Sequence, residues 1–162
     1  MLKKFIGYAL FGFFIVSNVI AHAFDGDQTR ESSLESVGRN YQDFLNFAGN
    51  DALDCASIEA ETFSLFASNF RKVVNNQIAC EGRDKIGSYL WEFRENLGRW
   101  KIKPDVYPLI TSADGFSYVT VIYTVGTIDK AEAMSLVVIA ILKVDIDKKI
   151  VEVFEVDHSI LH

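Results

Sequence analysis

Three observations predict an α+β fold. Amphipathic helical patterns are confined to the residues before Gly98, and the stretches after Gly98 are patterned as strands. A hydrophobic content of 49% over 162 residues is enough for one core. The expected domain packs about three N-terminal helices against a mostly antiparallel sheet, and no repeat, linker or low-complexity run marks a second one.

The first 23 residues stand apart. Lys3 and Lys4 make a basic start, Phe5 to Ile20 is almost wholly apolar, and Ala21-His22-Ala23 places small residues where a signal peptidase reads. The expectation is a secretory signal peptide cut after Ala23, leaving a secreted or periplasmic domain over residues 24–162, and so compact a signal points to a bacterial export pathway. An uncleaved anchor is the other reading, and the apolar run of about 16 residues falls short of the roughly 20 a spanning helix needs. Removing two lysines and no acid leaves 14 Lys+Arg against 22 Asp+Glu, a net charge of −8. Nucleic acid and anionic membrane both call for a cationic surface, so neither is expected as a partner of the mature chain.

Ser32 followed by Glu35 fits a capping box. Leu34, Val37, Tyr41, Phe44, Leu45 and Ala48 then recur at helical spacing, so a first helix is predicted over about 33–48, stopped by Gly49-Asn50. Residues 51–66 predict one or two short helical turns. Asn75-Asn76, which tolerates positive φ, predicts a tight hairpin between Phe70–Val74 and Gln77–Cys80. Asp84 is the expected cap of a long helix with Ile86, Tyr89, Leu90, Phe93 and Leu97 on one face, ended by Gly98. Trp91 falls off that stripe.

Pro104 and Pro108 mark residues 100–111 as an edge or irregular strand. Asp114-Gly115 makes a turn into the alternating strand Phe116–Val125. After a second turn over 127–132, Met134–Val144 is nearly continuous apolar sequence and predicts a central strand covered on both faces. A polar turn at 145–149 leads into the last strand, Ile150–His158.

Cys55 and Cys80 are the only cysteines. Two states are open: buried free thiols, or a disulfide closing a loop of about 26 residues and stabilising by roughly 3.5 kcal/mol. Export favours the disulfide. With no histidine between Phe24 and Asp157, neither cysteine has an imidazole to activate it for catalysis. His158 and His162 lack the paired spacing of a metal site, and no phosphate-cradling glycine loop is present, so no metal or cofactor is expected.

Tyr41 before Gly49-Asn50-Asp51, then Leu65-Phe66-Ala67, Gly82-Arg83-Asp84-Lys85-Ile86, and Lys149-Ile150 ahead of the last strand occur in the order seen in the NTF2-like superfamily. The chain resembles that superfamily, including its ketosteroid isomerase-like and SnoaL-like branches, over about residues 33–158. The resemblance implies a cone: a curved sheet wrapped around a long helix, with an apolar pocket between sheet and helices. Tyr41, Phe44, Phe66, Tyr89, Phe93, Tyr123 and Phe154 are the candidates to line it, and Trp91 and Trp100 could line it or pack.

The same resemblance tests for chemistry. Ketosteroid isomerases combine a tyrosine donor, a carboxylate base and a protonated aspartate. Here the tyrosine position falls on Tyr41, the base position on Val74 and the second acid on about Ala140. Without the base, a tyrosine cannot take a proton from carbon. SnoaL-type cyclases place an acid/base aspartate near the end of the last strand. Asp157 is the candidate, beside His158, and alternation allows only one of the two to face the pocket. An inward Asp157 in apolar surroundings would have its pKa raised. Arg83 beside Asp84 is expected to hold the helix start rather than bind an anion. The expected function is non-catalytic binding of a small apolar ligand or a partner chain. The alternatives are a cofactor-free lyase, isomerase or cyclase using Asp157 and Tyr41, and a homodimer joined through the convex sheet face.

Overall fold

The structure, a computed structural model, describes residues 33–104, 109–128 and 135–160. The signal peptide, the Ser32 cap and the turn after Ile128 lie outside the described residues. Helix α1 covers residues 33–46 and buries Leu34, Val37, Tyr41, Phe44 and Leu45, the stripe its spacing predicts. Glu35 bonds to Arg39 one turn on at 3.0 Å.

Gly49-Asn50 does not stop this helix. The chain widens into a π turn over Phe47–Asp51 and leaves it at Ala52. Gly49 is needed for space instead: a Cβ there would sit 2.4 Å from the Trp100 indole nitrogen. Arg94 fastens the widened turn by donating to the carbonyls of Ala52 at 2.7 Å and Ala48 at 3.4 Å.

Helix α2 spans Cys55–Leu65, a single helix of 11 residues where short turns were expected. Its start is a reciprocal cap: the Asp54 side chain accepts from the Ser57 amide, and the Ser57 hydroxyl accepts from the Asp54 amide. The apolar moment of this stretch is weak, so only the cap announces it. Strand β1, Phe66–Val74, and β2, Gln77–Glu81, form the predicted hairpin, with Asn75 and Asn76 at φ 48° and 64°. Helix α3, Ile86–Leu97, follows a 3₁₀ turn over Arg83–Lys85. Asp84 does not cap it; it pairs with Lys85 at 3.4 Å. Arg83 donates to the Phe66 carbonyl at 3.4 Å, as expected of a residue that fastens this corner. Gly98 ends the helix at φ 82°, and Trp91, off the buried stripe, lies under the Arg94 guanidinium.

The sheet runs β2-β1-β7-β6-β5-β3, with β4 also on β5. The predicted edge strand is present as two pieces: β3, Trp100–Pro104, pairs with the far half of β5, Phe116–Thr127, and β4, Leu109–Ala113, with its near half, while Pro108 lies outside the described residues. Strand β6, Ser135–Val144, is central, antiparallel to β5 and to β7, Ile150–Ile160. β1 joins β7 in parallel, the one parallel pairing among the described residues.

The inner face carries Val119, Val121 and Tyr123 from β5, Val138, Ala140, Leu142 and Val144 from β6, and Ile150 and Val153 from β7, all buried. β6 is not covered on both faces as its composition predicted. Ile139 and Ile141 face outward at 44% and 40% exposure, next to Val156 and Phe154 of β7 in the register. A nearly continuous apolar run cannot distinguish a doubly covered strand from one whose outer face is apolar and open.

Candidate functional site

Strand parity decides what enters the interior. From Phe70, β1 turns Lys72 and Val74 inward; from Val153, β7 turns Glu155 and Asp157 inward, with Phe154, Val156 and His158 outward. So Lys72 and Glu155, at 7% and 9% exposure, are charged groups inside the core. Their side chains pair at 2.8 Å through Glu155 Oε2. Glu155 Oε1 accepts from the Tyr41 hydroxyl of α1 at 2.5 Å and from the Tyr123 hydroxyl of β5 at 2.8 Å. The Lys72 ammonium also reaches the Tyr41 oxygen at 3.5 Å and stands 5.6 Å from the Tyr89 ring centre.

This arrangement fixes where the protons are. Burial pushes the Glu155 carboxyl up, but the Lys72 ammonium and the hydrogen bonds from Lys72, Tyr41 and Tyr123 together outweigh it and hold the group below its ordinary value. Burial, and then the Glu155 charge, drive both tyrosine hydroxyls well above theirs. Carboxylate, ammonium and two neutral phenols make one satisfied cluster, and among the described residues no buried side-chain polar atom lacks a partner.

Two spaces adjoin the cluster. A cavity of about 70 Å³ lies between α3 and the inner sheet face. Tyr89, Phe93, Trp100 and Tyr123 supply its aromatic wall, and Lys72, Glu155 and Asp157 its polar side. A tighter void of about 10 Å³ touches Tyr41, Phe44, Phe66 and Phe70. Larger hollows, such as one of about 450 Å³ by Asn40, Asp43 and Glu61 between α1 and α2, are surface grooves.

Tyr89, Phe93 and Tyr123 line the cavity; Tyr41, Phe44 and Phe66 border the small void. Trp100 lines the cavity as well, while Trp91 does not. Phe154 is on the outer face at 40% exposure, because parity opposes it to Glu155. Asp157 is the member of its pair that turns inward, and His158 is exposed. At the cavity's edge Asp157 accepts from the Asn75 side chain at 2.5 Å. Tyr41 and Asp157 do not share a space.

Cys55 and Cys80 are free thiols, not the expected disulfide. Cys55 lies in the first turn of α2 against Glu59 at 3.4 Å, and Cys80 lies on β2 against the Gly82 carbonyl at 3.8 Å, so their sulfurs take separate partners.

Lys72 and Glu155 were missed on the sequence. Position counting puts the second acid of the resembled enzymes at Ala140, and Ala140 pairs directly with Glu155. A carboxylate does occupy this part of the sheet, supplied by the neighbouring strand. Counting parity from Phe70 and Val153 would have found both charges.

No protein-family model matches the chain, and no curated protein matches it significantly. Solved structures do. An NTF2-like protein from Exiguobacterium is similar over 75% of this chain and 98% of its own, at 16% identity and a TM-score of 0.57. A SnoaL-like family protein from Agrobacterium tumefaciens covers 76% and 95%, at 14% identity and 0.55. A protein with a ketosteroid isomerase-like fold from Catenulispora acidiphila, solved in complex with trimethylamine, covers 74% and 82%, at 10% identity and 0.50. Three helices on a curved, mostly antiparallel sheet, with these neighbours, give this chain the NTF2-like fold.

Proposed function

We propose that the chain is an exported binding domain whose cavity holds a small, mainly apolar molecule without transforming it. The observation that carries this reading is the closed pairing of Glu155 with Lys72, Tyr41 and Tyr123. A general base needs a free lone pair and a pKa near the working pH. Glu155 is held low with both oxygens engaged, and the Tyr41 hydroxyl already donates its hydrogen bond to it, so neither is poised toward a substrate. Asp157 borders the cavity, but Tyr41, the donor that the cyclase or isomerase reading pairs with it, borders only the small void. A volume of about 70 Å³, a little over twice the roughly 30 Å³ share of one water, limits the ligand to a few non-hydrogen atoms. The trimethylamine held by the Catenulispora acidiphila protein is a molecule of that scale. Export is proposed on the basic, apolar and Ala21-His22-Ala23 pattern of the first 23 residues.

Native mass spectrometry of protein recovered from the export compartment tests the reading. A retained small molecule at one per chain is expected. An empty protein, or turnover of a bound molecule that Asp157→Asn abolishes, removes it.

A second reading has its own observation. Ile139, Ile141, Phe154 and Val156 form an outward apolar patch on adjacent strands, which supports pairing of two copies through the sheet. Light scattering at micromolar concentration decides it; a monomer at every concentration rejects it.

A further inference from the structure

Resting on the binding reading, we propose that the cavity's ligand is a small alkylammonium cation, held by the aromatic wall and the Asp157 carboxylate. The charge around the cavity is unbalanced in one direction. Lys72 and Glu155 cancel each other at 2.8 Å, and the ammonium is buried in that pairing. Asp157 remains. Its partner is the neutral side chain of Asn75, and among the described residues no cation stands within ion-pair distance of it.

The cavity therefore carries one uncancelled negative charge at its edge. The rest of its lining favours a cation with apolar substituents over a hydrated metal ion. Tyr89, Phe93, Trp100 and Tyr123 present aromatic rings, whose faces attract an alkylated ammonium that sheds water readily. Leu45, Leu136 and Val138 add apolar surface for its methyl groups. A carboxylate ligand is disfavoured by the same lining, since it would meet Asp157 and find the ammonium of Lys72 already engaged.

Calorimetric titration of the folded chain with tetramethylammonium chloride, against tert-butanol as a neutral molecule of matching size, tests this. The expected result is one tetramethylammonium site, with tert-butanol binding at least tenfold more weakly. Asp157→Asn should weaken the cation about tenfold, the scale of one partly solvated charge contact, and leave tert-butanol unaffected. Its melting temperature serves as the folding control. Leu136→Trp, which fills the cavity, should abolish the site, and cation binding that survives it would overturn the proposal. Equal binding of the two probes, or of the cation by wild type and Asp157→Asn, also overturns it and leaves the binding reading intact. If neither probe binds, the cation proposal falls, and the binding reading falls with it only where native mass spectrometry also finds the protein empty.

Discussion

Replacing Lys72 by methionine isolates what the buried charge cluster does. The substitution preserves length and apolar stem but leaves Glu155, at 9% exposure, without its countercharge. Removing one partner of a buried ion pair costs about 3–5 kcal/mol. For a domain of this size that lowers the melting temperature by on the order of 10–20 °C. The pH dependence separates this cause from lost packing. In the wild type the folded carboxyl lies below its ordinary value of 4.5, so Glu155 adds stability above that value, which disappears as pH falls through the lower folded one. In Lys72→Met, burial no longer meets the opposing ammonium, and the folded carboxyl moves above 4.5. The penalty is then full above the new value and is relieved as pH drops through it. Urea unfolding at pH 7 and at about pH 5 should show the gap between variant and wild type narrowing in acid. Lys72→Met/Glu155→Gln should recover at least about 2 kcal/mol relative to the sum of the single changes, because the amide still accepts from both tyrosines without carrying a charge. A gap that stays constant with pH, together with additive single changes, would refute the assignment.

Three other outcomes follow from the packing. Gly49→Ala drives a methyl into the Trp100 indole and should cost about 1–3 kcal/mol by urea unfolding, with a shifted tryptophan emission; a neutral change would mean the ring is free to move. Phe154→Arg should turn the dimer of the second reading into a monomer by light scattering while the fold, read by circular dichroism, is retained; a dimer that persists places the contact elsewhere. Both thiols should titrate with Ellman's reagent in denaturant without reductant, and slowly in the native state, where burial raises both their pKa values; absence of titratable thiol would restore the disulfide.

The parts of the fold visible in the sequence are those governed by local rules. The Asn75-Asn76 and Asp114-Gly115 turns, the Gly98 stop and the α3 stripe each depend on residues close together in the chain, and each is found where expected. The misplaced features depend on distant contacts. Gly49 looked like a helix stop, yet its role is set by Trp100, 51 residues further along the sequence, adjacent in space and invisible to local spacing. The prolines marked residues 100–111 as an edge or irregular strand, but that β3 and β4 share one side of β5 is a property of the sheet.

The site was misread for a different reason: hydrophobicity was allowed to outrank parity. On β7, Phe154 and Val156 are apolar and face out, whereas Glu155 is charged and faces in. An interior carboxylate is tolerable only because three other strands or helices deliver donors to it: Lys72 from β1, Tyr41 from α1 and Tyr123 from β5. The same four-way convergence engages both oxygens of Glu155 and the hydroxyl of Tyr41, and leaves Asp157 at the cavity's edge with no cationic partner among the described residues. In the binding reading proposed above, a ligand would meet Asp157 at the edge of the cavity, above a floor whose charges are already paired with one another.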